Sequence, residues 1–61
     1  MTLKDWIEKR GITQSDFARR VGVQQSTVNK IIHGHRKPSM RVAYAIEVAT
    51  NGAIKSESWL L

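Results

Sequence analysis

A small all-α domain of four to five helices is the fold class this sequence predicts, and three observations point to it. Thr2, Thr13 and Ser39 stand where helix N-caps belong, and Gly11, Gly22 and Gly34 stand where helices stop. Between these marks the apolar residues recur at helical spacing. The chain also has 61 residues and no cysteine, so a fold without staples must rest on close helix packing or on association. At this size a domain buries only about 60% of its unfolded surface, which makes a partner valuable. An α+β fold with a C-terminal hairpin after residue 40 is the alternative.

The first helix is expected over residues 3 to 10. Thr2 with Asp5 has the form of a capping box, Leu3, Trp6 and Ile7 follow at helical spacing, and Gly11 suits a left-handed stop. Thr13 with Asp16 repeats the cap for a second helix from Gln14 to Val21, and Ile12 and Phe17 are spaced as a hydrophobic staple. Gly22 then permits a sharp turn, with Val23 as its apolar anchor. A third helix begins near Gln24 or Gln25 and ends at Gly34. In steps of about 100° per residue, Val28, Ile31 and Ile32 fall in one arc and Gln25, Ser26, Asn29, Lys30 and His33 in the opposite one.

After the basic loop of His35, Arg36, Lys37 and Pro38, Ser39 can cap a fourth helix from Met40 to Ala49 or Thr50. Two readings compete here. Val42, Tyr44, Ile46, Val48 and Thr50 alternate as in a strand, and Asn51-Gly52 is a strong hairpin signal. The alanines, Glu47 and the apolar set Val42, Ala43, Ile46 and Ala49 fit a helix instead, which we prefer. The tail from Ala53 forms either a short last helix from Ser56 or an extended arm.

Charge narrows the function. Ten Lys and Arg stand against five Asp and Glu, for a net charge of +5. Phe17 to Ile46 contains no acid while holding Arg19, Arg20, Lys30, Arg36, Lys37 and Arg41. A basic balance of this kind favours a polyanionic partner. The third helix's polar face also lacks acids, whereas a merely solvated surface mixes its charges. Short, interrupted apolar runs speak against a membrane span or signal peptide, and the expectation is a soluble cytoplasmic protein.

Two helices joined by a tight glycine turn, the second with a polar outer face, describe a helix-turn-helix unit over residues 14–33 of a single domain, 1–61. The run "TQSDFARRVGVQQSTVNKIIHG" resembles the DNA-binding core of the Cro and C1 repressor family of phages. Gln14 opens its first helix, Ala18 is the small residue at the helix contact, Gly22 lies in the turn, and Val28 and Ile31 lie inside its second helix. "TLKD" and "GVQQSTVNKIIHGHRK" extend the resemblance over residues 2–37, most closely to the lambda-Cro type. The segment after Pro38 looks instead like the helical tails of other Cro-like repressors and of YdaS-type antitoxin-like proteins.

The resemblance implies a repressor that occupies an operator on double-stranded DNA, with Gln25, Ser26, Asn29 and Lys30 reading bases. The chemistry agrees: Gln and Asn amides pair bidentately with adenine, and Lys donates to guanine acceptors in the major groove. Gln14 matches the family's backbone-clamping glutamine. Ser15, Gln24, Thr27, His33, Arg36, Lys37 and Arg41 are further candidates for phosphate contacts, as is Arg19.

Helix-turn-helix proteins usually meet palindromic operators as two-fold dimers, so residues 39–61, and Trp59, Leu60 and Leu61 above all, are the candidate dimerisation region. Such a homodimer can be weak and form fully on DNA. An antitoxin-like autoregulator with a toxin partner, and a protein-interaction module docking helix three on an acidic protein, are the competing functions. No enzyme, cofactor, small-molecule ligand or metal is expected: His33 and His35 lie two apart with no Cys or paired carboxylate, and neither a nucleophile elbow nor a phosphate loop is present.

Overall fold

A computed structural model describes residues 1–59. The order is α1 (Leu3–Arg10), α2 (Gln14–Val21), α3 (Gln25–Ile32), α4 (Met40–Ala49) and a 3-10 turn (Ser56–Trp59). The fold is all-α, with no strand among the described residues. The hairpin alternative is thereby overturned. The end of α3 is also corrected: the helix closes at Ile32, with His33 as C-cap and Gly34 outside it.

Starts follow from caps. Thr2 accepts from the Asp5 backbone amide at 3.1 Å while the Asp5 carboxylate accepts from the Thr2 amide at 3.4 Å, which completes the capping box of α1. Thr13 Oγ1 accepts from the Asp16 amide at 3.0 Å and Ser39 Oγ from the Val42 amide at 3.3 Å. The Asp16 carboxylate pairs with Arg19 at 2.7 Å.

All four α-helices stop by one device, an amide that reaches back across a left-handed residue to the carbonyl five positions earlier. Ile12 donates to Ile7, Val23 to Ala18, His35 to Lys30 and Gly52 to Glu47, at 3.4, 3.0, 2.9 and 2.8 Å. The left-handed position is glycine in the first three. At α4 it is Asn51 (φ 55), followed by Gly52 (φ 86). The two positive φ angles that make Asn-Gly a hairpin signal thus serve here to end a helix.

The core sits where α1, α2, α3 and α4 converge. Phe17 at its centre is 0% exposed and meets Trp6 edge-on, with ring centroids 5.8 Å apart. Leu3, Ile7, Ala18, Val28, Ile31 and Ile46 surround this pair, and Ile12, the proposed staple residue, packs against the cluster. The Arg10 guanidinium lies over the Trp6 ring, 5.1 Å from its centroid. α2 packs against both α3 and α4.

Ile54, which no periodicity singled out, is also in the core. Thr50 holds it there. Thr50 is 1% exposed; its hydroxyl donates to the Ile46 carbonyl at 2.8 Å, shares that hydrogen with the Glu47 carbonyl at 3.2 Å, and accepts from the Ile54 amide at 3.1 Å. A second clasp follows, as the Ser56 amide donates to Glu47 Oε1 at 2.8 Å. These bonds lay the chain after α4 against the helix and lead it into the 3-10 turn.

Candidate nucleic-acid interface

α3 is anchored from behind. Val28 and Ile31 are buried and Ile32 is half-buried, so the helix cannot rotate without exposing its branched side chains. Ala18 on α2 is buried and small, and Gly22 (φ 84) turns the chain between the helices in a left-handed conformation that costs glycine little. The Gly22 and Val23 amides both donate to the Ala18 carbonyl, at 2.8 and 3.0 Å, which fixes the turn.

Gln25, Ser26, Asn29 and Lys30 are therefore forced outward. All four are exposed, and together they line one shallow depression on the outer face of α3. Gln14, half-buried at the start of α2, reaches this face, and its Oε1 accepts from Asn29 Nδ2 at 3.4 Å. That contact leaves Asn29 with its amide oxygen and its second N–H, which is the acceptor and donor set an adenine edge requires.

The remaining predicted contacts differ in exposure. Ser15 and Thr27 are half-buried, whereas Gln24, His33, Arg36, Lys37 and Arg41 are exposed. His33 Nδ1 lies 2.9 Å from the Asn29 carbonyl, and because a carbonyl only accepts, Nδ1 is the donor in this contact. Arg19 is diverted to Asp16, and an exposed pair of this kind contributes little to stability. α3 also begins differently from α1, α2 and α4, because Gln24 makes no side-chain capping bond; like α4, its first turn contains no acid. The Thr27 amide donates to the Gln24 carbonyl at 3.0 Å, which leaves the Gln25 and Ser26 amides as donors of the kind that meet phosphate oxygens.

Trp59 is half-buried against the core, and Leu60 and Leu61 lie outside the described residues. Within the candidate dimerisation region, residues 39–61, sequence reasoning singled out the tail and not three residues of α4. Met40, Tyr44 and Val48 are large apolar residues left 83%, 65% and 61% exposed. The signal was present, because a helix burying Ala43 and Ile46 must turn residues four apart on its far side to solvent. Among the described residues no group of three His, Cys, Asp or Glu could hold a metal, and no helix is long and apolar enough to cross a membrane.

A helix-turn-helix family model matches residues 3–54, which takes in all four α-helices and Ile54. The chain belongs to the helix-turn-helix family. This helix-turn-helix protein is similar to two proteins of Archaeoglobus fulgidus, each described as an uncharacterized HTH-type transcriptional regulator. Both are 34% identical over 53 residues, which is 87% of this chain and 76% of one relative or 75% of the other. No solved structure matches it.

Proposed function

We propose that this chain is a sequence-specific DNA-binding transcriptional regulator that lays α3 in the major groove and represses by occupying an operator. One observation carries the reading: α3 presents Gln25, Ser26, Asn29 and Lys30 together, exposed and without an acid, while its opposite side is locked into the core. A surface so composed offers amide donors and acceptors for adenine and a cation for guanine. Gln14, Ser15, Gln24, Thr27, His33, Arg36, Lys37 and Arg41 supply phosphate contacts that set register without reading sequence.

The relatives' description as transcriptional regulators supports the regulatory role. The Cro-type resemblance of residues 2–37 supports repression from the cytoplasm, and the helical segment after Pro38 supports the Cro-like members that lack C-terminal strands. One copy reads one half-site, so the operator is palindromic and the working form is a homodimer, completed on DNA.

Selection from random duplexes, followed by titration of the selected site, tests the reading. Two-fold symmetric sites with half-sites about one helical turn apart are expected, and binding should weaken steeply with salt. Absence of binding even to random-sequence DNA at low salt would end the proposal, since the electrostatic part of the affinity needs no specific site.

A further inference from the structure

α4 has a finished side and an unfinished one. Ala43 and Ile46 are buried, and Val42 and Ala49 pack partly against the core. On the far side Met40, Tyr44 and Val48 follow at steps of four, forming an uncharged apolar ridge in solvent. A groove of about 450 Å³ runs beside the ridge between α4 and the 3-10 turn, walled by Pro38, Met40, Ala43, Tyr44 and Trp59 and flanked by Lys37 and Glu57. Trp59 Nε1 is buried with no hydrogen-bond acceptor among the described residues.

We propose that this ridge and groove are the contact between two copies of the chain, related by a two-fold axis. Tyr44 of each copy enters the groove of the other. This inference rests on the DNA-binding reading only for its consequence at an operator.

Self-complementarity argues for a second copy. An isologous contact needs a projection and its receptacle on one surface, and here both share Met40 and Tyr44. Charge argues the same way. Two chains of net charge +5 repel one another across their basic faces, whereas the ridge residues are neutral. An acidic protein partner would be drawn to α3 and the loop after it rather than to this ridge.

Area then sets the strength. A patch built on three such side chains belongs with the apolar patches of about 300–600 Å² found on soluble monomers, below the roughly 800 Å² per partner of a standard stable interface. The dimer is accordingly weak in solution. It closes when adjacent half-sites hold two copies together, because such proximity raises the effective concentration to about millimolar.

Sedimentation of the full chain from micromolar to millimolar concentration, without DNA, tests the contact directly. Wild type should shift toward dimer as concentration rises. Tyr44→Glu and Val48→Lys, at positions already in solvent, should keep the wild-type helical spectrum yet raise the dissociation constant at least tenfold. On a palindromic duplex Tyr44→Glu should bind a single half-site like wild type and lose at least tenfold in cooperativity. Self-association without any DNA binding would support the contact while refuting the DNA reading. Three results would overturn the proposal: a monomeric wild type with no cooperativity on DNA, self-association unaffected by both variants, or a ridge that captures a different protein while the chain itself stays monomeric.

Discussion

Replacing Thr50 separates its hydroxyl from its shape. In Thr50→Val the Ile46 carbonyl keeps the Thr50 backbone amide at 2.9 Å, and the Glu47 carbonyl keeps the Gly52 amide at 2.8 Å, so neither acceptor is orphaned. The Ile54 amide is, because its acceptor at 3.1 Å is the lost hydroxyl and the residue is buried. One buried unpaired donor costs about 1–3 kcal/mol. Thr50→Ser keeps the hydroxyl and its bonds and loses one buried methyl, about 0.8 kcal/mol.

A 61-residue domain has roughly 3–9 kcal/mol in total, and each kcal/mol moves Tm by about 4–8 °C at this size. Thermal melts followed by circular dichroism should therefore place Thr50→Ser about 5 °C below wild type and Thr50→Val about 10 °C below it. If the valine variant melts at or above the serine variant, the hydroxyl is not what holds Ile54 and the clasp after α4 has been misread.

Binding variants should divide by role. Asn29→Ala and Lys30→Ala should relax preference at particular base pairs, each by about 1–3 kcal/mol, whereas Arg36→Ala should weaken all sequences alike and lower the salt slope by about one unit, as read by competition titrations. Gly22→Ala meets no atom within 4 Å, so its cost is backbone strain alone, about 1–2 kcal/mol in urea unfolding. The Ser56 amide bonded to Glu47 holds that carboxylate below its ordinary pKa, aided by the Ser56 side chain and Lys55 against a smaller opposing effect of burial. A depressed folded pKa means stability that is present above the unfolded pKa and lost as pH falls through the folded one. Glu47→Gln should thus flatten the acid side of a pH–stability profile, and an unchanged acid slope would count against the clasp.

The starts of α1, α2 and α4 were legible because Thr2, Thr13 and Ser39 write their caps in local sequence. α3's start at Gln25 was legible only to within one residue, from the Gly22 turn and the spacing of Val28 and Ile31, since Gln24 makes no side-chain cap. Asn51-Gly52 was ambiguous for a physical reason: a hairpin and a helix stop ask for the same signs of φ at those residues, and the choice between them depends on Thr50 and Ile54, which local pattern does not reveal. The outward face of α3 could be counted in 100° steps. The ridge on α4 could be counted only once the helix reading was chosen, because Tyr44 and Val48 also belong to the set that alternates as in a strand.

The division of labour on α3 reaches beyond this one molecule. Val28 and Ile31 decide whether the helix is held, while Gln25, Ser26, Asn29 and Lys30 stand in solvent, tied back to α2 by a single long bond from Asn29 to Gln14. Changes at exposed positions usually alter stability by no more than about 0.5 kcal/mol. A lineage can therefore rewrite those four side chains one at a time, with every intermediate still folded. New targets are open to it without passing through a broken protein, which is how one scaffold this small can diversify.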